Sequence, residues 1–179
     1  MASIFGGAFD KLPEATQHSI ISSLKTRKEH YCRGLLGWRP DSVKVILVGD
    51  RPGPGALKLP ANHHHTPFYS TKNSSLWLNR NLVEAGVDES KLFWINAYDV
   101  HGKPAHGSHL SMWKSVSHVF LLGGNAVKWY MKEAQHLVPI FVEVEHFFHP
   151  QAWKRFKSKE EYPLIPALKA ALDLKDPAT

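Results

Sequence analysis

The stretch Val45-Ile-Leu-Val-Gly-Asp-Arg-Pro-Gly53 decides how this chain folds. Four consecutive apolar residues run into a tight turn of glycine and proline, and Asp50 stands at the first step of that turn. An apolar run of this length, bounded by turn residues, predicts a buried strand. In open α/β sheets ligands bind at the loop that follows a central parallel strand. We therefore expect backbone amides and one carboxylate to approach a ligand at this turn.

Outward from this stretch, strand patterns alternate with helix patterns. The predicted strands are 43–48, 91–97, 118–122 and 139–145, and the predicted helices are 13–30, 76–85, 126–135, 151–159 and 166–174, with a short helix or turn at 110–117 and polar loops at 51–75 and 99–108. This alternation predicts an α/β fold, a three-layer α/β/α sandwich with a central, mainly parallel sheet. No repeat or linker interrupts the pattern, so we expect residues 1–179 to form a single domain.

The composition narrows the classes of function. Lysine and arginine outnumber the acids by 22 to 16, which gives a net charge of +6 and favours an anionic partner, nucleic acid above all. The single cysteine, Cys32, excludes a disulfide framework or a cysteine-based metal site within the chain, so a reducing cytoplasm is the expected compartment. No apolar run approaches the roughly 20 residues of a membrane span, and the first residues lack the basic and apolar regions of a signal peptide, so neither is expected.

Polar residues follow three of the predicted strands. Asp50 follows the first, Asn96 ends the second, and His149 follows the last. Each of these residues taken alone is typical of an ordinary turn. Taken together at one edge of a sheet, they predict a pocket with an acid, an amide and an imidazole. Such a pocket could orient a water, read the edge of a heterocycle and stabilise a leaving anion.

These segments resemble motifs of the uracil-DNA glycosylase superfamily. The run from Val48 to Gly53 looks like its first motif and is closest to the Gly-Glu-Ala-Pro-Gly form of the thermophile-type class. Further segments resemble the motifs that follow in the family, in the same order: Thr66–Tyr69, Leu76–Gly86, Leu92–Ala97, Val119–Gly123 with Ala126, and His149–Pro150. The resemblance spans roughly residues 43–156. It implies the fold of that family.

The resemblance also implies roles for individual residues. Asp50 would orient or activate the hydrolytic water, and His149 would stabilise the negative charge that develops on the departing pyrimidine. Phe68 would stack on the flipped base, and Asn96 would hydrogen-bond its Watson–Crick edge. The backbone around Gly49, Asp50 and Arg51 would line the base pocket. No metal and no other cofactor is expected.

The sequence departs from the family pattern at informative places. The thermophile-type class usually carries four cysteines that hold an iron–sulfur cluster, and this chain has one cysteine. Asp50 stands where that class has glutamate, and Arg51 replaces a small residue beside the pocket. The tripeptide His63–His65 suggests metal binding, but sequence neighbours rarely share a tetrahedral site, so a loop that faces DNA or lines the pocket is favoured.

The segment after His149-Pro150 is basic and aromatic. Trp153 or Arg155 could fill the gap left by a flipped nucleotide, because both side chains can stack on bases. For Trp153 the alternative is packing in the core. Lys154, Arg155 and Lys157, with Lys159, are expected to contact phosphates, and the alternative is a solvated helix face.

The sequence therefore favours a monofunctional DNA glycosylase that removes uracil or a modified pyrimidine and leaves an abasic site. Base-excision repair and phage-related attack on hypermodified DNA both remain open. DNA is the expected partner, and no association with a membrane is expected. The protein is expected to be a monomer in the cytoplasm. A non-catalytic nucleic-acid-binding module on the same fold is the main alternative. A nucleotide-binding α/β enzyme is disfavoured, because the Gly49–Gly55 turn lacks the Lys-Ser/Thr of a P-loop.

Overall fold

A four-stranded parallel sheet forms the centre of the structure. The computed structural model describes residues 7–52, 65–111, 113–157 and 159–173. In chain order the strands are β1 (Val45–Gly49), β2 (Leu92–Asn96), β3 (His118–Leu122) and β4 (Glu143–Phe147). They are arranged in the spatial order β2-β1-β3-β4, and all three pairings are parallel. This sheet confirms the predicted α/β fold.

The helices of the described residues lie around this sheet. Their bounds are α1 (Gly7–Asp10), α2 (Glu14–Leu35), α3 (Asn73–Glu84), α4 (Gly124–Trp129), α5 (Pro150–Lys157) and α6 (Leu164–Asp173). A π-helical turn, Tyr130–Ala134, continues α4, and short 3-10 turns occupy Glu89–Lys91, Gly107–Leu110 and Gln135–Leu137. Within the described residues, every helix is too short or too polar to cross a membrane.

Apolar clusters cover both faces of the sheet. On one face Ile46 and Val48 pack with Trp129 of α4. On the other face Val45 and Leu47 pack with side chains of α3, α5 and α6. Strands β1, β2 and β3 are buried along their whole length, as expected for parallel strands that are covered on both sides. The apolar runs in the sequence therefore correspond to the three-layer arrangement.

Several predicted element bounds differ from the structure, and the short helix or turn predicted at 110–117 is a 3-10 turn at Gly107–Leu110. The fourth strand begins at Glu143 and not at Pro139, because the Val142 N–H donates to the Pro139 carbonyl and closes a turn. Ile140 and Phe141, which gave this segment its strand-like pattern, are exposed. The first long helix continues to Leu35, beyond the predicted end at residue 30.

Candidate active site

Strands β1 and β2 place Asp50 and Asn96 at the same edge of the sheet. Gly49 is opposite Asn96 in the parallel register. The pairing continues past the strand ends, because the Tyr98 N–H donates to the Asp50 carbonyl at 2.9 Å. The turn after β1 is thereby fixed against β2. The two polar groups that the sequence placed at separate strand ends are neighbours.

The Asp50 carboxylate is held by a residue that the sequence analysis missed. Its Oδ2 accepts a hydrogen bond of 3.0 Å from Nδ2 of Asn125. Asn125 belongs to the first turn of α4, which directly follows β3. A polar residue in a Gly-Gly turn after a third parallel strand could have indicated this position, because that turn lies at the same edge of the sheet.

His149 has one defined tautomer when it is neutral. The Gln151 N–H donates to its Nδ1 at 3.1 Å. Because a backbone amide can only donate, Nδ1 must be the unprotonated nitrogen. The proton of the neutral ring is therefore on Nε2, which makes Nε2 a hydrogen-bond donor. A donor of this kind suits an acceptor that gains negative charge during a reaction.

The surroundings of His149 favour the neutral form. Burial lowers the pKa of His149 below its ordinary value of 6.5, and the nearby Asp50 carboxylate opposes this effect. Gly123, with φ of +105°, lies against the imidazole, and a Cβ at this glycine would come within 3.1 Å of the His149 Cβ. Position 123 therefore favours glycine for its backbone and for the space that His149 needs.

Phe68 provides an aromatic surface where the segment after β1 meets the segment after β4. Its ring centroid lies 5.6 Å from that of His149 and 5.8 Å from that of Trp94. The ring also covers Gly49, since a Cβ at position 49 would come within 3.2 Å of Phe68 Cε2. The segment after β1 and the segment after β4 therefore meet at this ring.

The backbone of Phe68 is strained. Its φ is +53°, in the left-handed region that bulky residues rarely adopt. A conformation of this kind costs about 1–3 kcal/mol, so surrounding contacts must stabilise it. The Phe68 carbonyl accepts hydrogen bonds from Asn79 Nδ2 at 3.0 Å and from Arg27 Nη1 at 3.2 Å. Strain supported in this way is typical of a functional position.

Asn96 is buried and already bonded. It is 7% exposed, and its Nδ2 donates to the His65 carbonyl at 2.5 Å. Because Nδ2 carries two hydrogens, one of them bonds the His65 carbonyl, and the other hydrogen together with Oδ1 are the groups with which Asn96 could read a base. Gly53, His63 and His64, which the sequence analysis also considered, lie outside the described residues.

The basic residues after His149 are accessible. Lys154, Arg155 and Lys157 are exposed on α5, and Arg51 is exposed beside Asp50. Lys157 Nζ lies 3.8 Å from the Glu160 carboxylate, with both side chains about half exposed. A pair so exposed contributes little to stability, so the lysine is available for phosphate contact.

Trp153 does not occupy a DNA-facing position. It is 8% exposed, packs in the core beside Tyr162, and donates its indole N–H to the Glu160 carbonyl at 3.2 Å. The prediction that Trp153 fills the gap left by a flipped nucleotide is therefore wrong, and its alternative, core packing, is what the structure shows. The reason is the period of α5, which turns position 153 toward the sheet and Arg155 toward solvent.

Phe148 is an exposed aromatic residue that the sequence analysis missed. It directly precedes His149 and is 63% exposed. Its carbonyl accepts a hydrogen bond from the Tyr162 hydroxyl. Burial raises the pKa of this hydroxyl well above its ordinary value. A single exposed aromatic side chain is ordinary on a protein surface, so only its place beside His149 makes Phe148 a candidate for contact with a bound molecule.

No protein-family model matches this sequence, and no curated protein matches it either. The function is therefore inferred from the arrangement of the residues described above.

Proposed function

We propose that this protein is a monofunctional DNA glycosylase. It hydrolyses the N-glycosidic bond of a flipped uracil or modified pyrimidine and leaves an abasic site. The observation that carries the proposal is the convergence of three groups at one edge of the sheet: the Asp50 carboxylate, the Phe68 ring and the Nε2 donor of His149. Their sequence motifs resemble those of the uracil-DNA glycosylase superfamily in order and spacing.

The chemistry follows from the placement of charge. Cleavage of the bond between C1′ and the base leaves an oxocarbenium-like sugar, and the electron pair of the broken bond remains on the base. The Asp50 carboxylate stabilises this cation, orients the water whose oxygen bonds to C1′ and accepts the proton that this water loses. The His149 Nε2–H donates a hydrogen bond to the base anion. Both interactions are stronger in the transition state than in the bound substrate, which is the condition for catalysis.

The aromatic surface explains how a base would be held. A base inside a duplex is inaccessible, so it must leave the stack and enter a pocket. Stacking on the Phe68 ring would replace the stacking that the base loses, which is worth about 1–3 kcal/mol per base. Gly49 leaves the room that this ring requires, because any side chain at that position would press on it.

The partner in this proposal is DNA. Lys154, Arg155 and Lys157 lie on the helix that begins directly after His149, so phosphates bound there would be close to the site. Such contacts position the strand without reading its sequence. The protein would act as a monomer in a reducing cytoplasm, in line with the single cysteine.

The identity of the base is the open part of the proposal. Asp50 is one methylene shorter than the glutamate of the thermophile-type class that it resembles, and Arg51 adds a cation beside the pocket. These departures favour a substrate that includes modified pyrimidines, such as hydroxymethylated or glucosylated bases of phage DNA. Repair of uracil and attack on hypermodified DNA are both compatible with the same reaction.

A second candidate function rests on Asn96. One of the two hydrogens on its amide nitrogen is committed to the His65 carbonyl, so only the other hydrogen and Oδ1 would read a base. A module that binds DNA without turnover would need no base contact from Asn96. Retention of the Asp50, Asn125 and His149 geometry favours the enzyme.

The proposal is tested with purified protein on duplex and single-stranded oligonucleotides that contain uracil, hydroxymethyluracil or hydroxymethylcytosine. Alkali then cleaves the strand wherever an abasic site has formed. Cleavage at the modified position supports the glycosylase. Binding without cleavage on every substrate would favour the non-catalytic module, and absence of both would reject the two functions together.

A further inference from the structure

A buried guanidinium lies beneath the aromatic surface of the site. Arg27, in the middle of α2, is 1% exposed. Its Nη2 donates to Oε1 of Glu89 at 2.8 Å, and its Nε donates to the same oxygen at 3.3 Å. Glu89, in the short turn before β2, is also buried. The two charges are therefore paired inside the protein.

The same guanidinium reaches the loop that carries Phe68. Its Nη1 donates to the carbonyls of Pro67 at 3.1 Å and of Phe68 at 3.2 Å. Its Cζ lies 4.2 Å above the ring of Trp94, whose indole N–H donates to the other oxygen of Glu89 at 2.7 Å. The rings of Trp94 and Phe68 in turn pack in a T-shaped contact. Arg27 thus contacts the backbone of Phe68 and the ring that supports its side chain.

Stability alone does not explain this arrangement. Apolar side chains of similar volume often replace a buried ion pair without loss of stability. Apolar side chains, however, could not donate a hydrogen bond to the carbonyl of Phe68, whose backbone is in the left-handed conformation. Arginine offers donors in a rigid fork that can serve Glu89 and the two carbonyls together, whereas lysine is a point charge on a flexible stem.

We propose that Arg27, oriented by Glu89, is a positioning residue that keeps the Phe68 ring in place before any ligand arrives. The ring is thereby a preformed platform for a planar heterocycle. That the heterocycle is a base in DNA rests on the proposed glycosylase function. When the platform is preformed, none of the binding free energy is needed to order the loop. Loss of Arg27 should therefore weaken the binding of a heterocycle to the Phe68 ring.

The first measurement is a double-mutant cycle on excision. Arg27→Lys should lower the single-turnover rate or the affinity for the substrate by about tenfold to a hundredfold, as expected when a binding group is misplaced. In a Phe68→Ala background the same change should have little further effect, because the platform is already absent. Arg33→Lys is the matched control, because Arg33 lies on the same helix in an exposed pair with Glu29 and should leave the rate unchanged.

The second measurement does not depend on activity. A fluorine-labelled phenylalanine placed at position 68 alone gives one fluorine resonance that reports the surroundings of this ring. The resonance should be narrow in the wild-type protein and in Arg33→Lys. It should shift or broaden in Arg27→Lys. If Arg27→Lys does not fold, Glu89→Gln, which removes the charge that orients Arg27, is used in both measurements with the same expectations.

The outcomes separate the two proposals. The positioning role is supported if Arg27→Lys lowers the excision rate or the affinity in the wild-type background but has no such effect in the Phe68→Ala background. A loss that persists undiminished in that background, or no loss at all, overturns it. If the wild-type protein excises no base, the glycosylase proposal fails alone, and the fluorine resonance decides. A change with Arg27→Lys then supports the platform, and an unchanged resonance overturns it.

Discussion

The rings of Phe68 and His149 lie 5.6 Å apart between centroids, with their planes inclined by 44°. One residue belongs to the segment after β1, and the other to the segment after β4. Their contact joins the aromatic surface to the Nε2 donor. A planar base on Phe68 would therefore lie beside the imidazole that is proposed to stabilise the negative charge on the departing base.

Acid should destabilise the protein partly through His149. Burial lowers the pKa of this group in the folded state, so the unfolded chain takes up the proton first as the pH falls through 6.5. The free energy of unfolding should therefore decrease from about pH 7.5 to pH 5.5. Urea unfolding of His149→Gln should show a shallower decrease than the wild-type protein. Partial burial also lowers the pKa of His109, so a residual slope is expected. Identical slopes for the two proteins would contradict the assignment.

A methyl group on Gly49 should disturb the base platform. The added Cβ would lie 3.2 Å from Phe68 Cε2 and 3.6 Å from Asn96 Oδ1, so the ring must shift by a few tenths of an ångström. Gly49→Ala should slow excision by about tenfold, because small displacements of a binding group are costly. Gly124→Ala is the matched control, since a Cβ there meets nothing within 4 Å. Equal rates for the two variants would show that Phe68 does not act at this site.

Asn125 should act only through Asp50. Loss of its 3.0 Å hydrogen bond frees the carboxylate to turn away, so Asn125→Ala should lower the single-turnover excision rate by about tenfold. In an Asp50→Asn background the same change should have no further effect, because the two residues form one unit. A second, equal loss in that background would mean that Asn125 contacts DNA or water independently.

The salt dependence of DNA binding should separate basic residues by their place in the fold. Lys154→Gln removes an exposed cation beside the site, so the slope of log Kd against log salt should decrease by about one unit. Lys114, which precedes β3 at the opposite edge of the sheet, is the control, and Lys114→Gln should leave the slope unchanged. Fluorescence anisotropy over a salt series makes this measurement. Equal slopes would place the DNA elsewhere on the surface.

The sheet was predictable because its strands carry their own signal. Residues 118–122 were predicted to the residue, and β1 and β2 within two residues, since buried parallel strands are continuous apolar runs. The edge strand β4 was placed too early. It is mostly exposed, so its sequence shows no apolar run, while Ile140 and Phe141 just before it imitate one. The other edge strand, β2, is buried along its whole length and keeps its apolar run, so the exposure of β4, and not its place at the edge, weakens the signal.

The site was predictable only in part. Asp50 and Asn96 stand at strand ends, and the parallel register brings them together. Arg27 could not be found, because a position among basic residues near the predicted helix end at residue 30 is typical of a solvated surface. Its burial depends on Glu89, far along the chain. Trp153 was misplaced for a related reason: an aromatic residue in a basic run suits DNA and the core equally well until the helix is oriented.

The most direct test identifies by mass any free base that the protein releases from DNA. Substrates are uracil-containing DNA and phage DNAs with modified pyrimidines, each compared with unmodified DNA. We expect a free pyrimidine from the wild-type protein, and release slowed by about 10²- to 10⁴-fold in Asp50→Asn and strongly in His149→Ala. Asp41→Asn, which alters an exposed acid at the opposite end of β1, should release the base at the wild-type rate. No free base from any of these DNAs, or undiminished release by Asp50→Asn and His149→Ala, would contradict the proposed glycosylase.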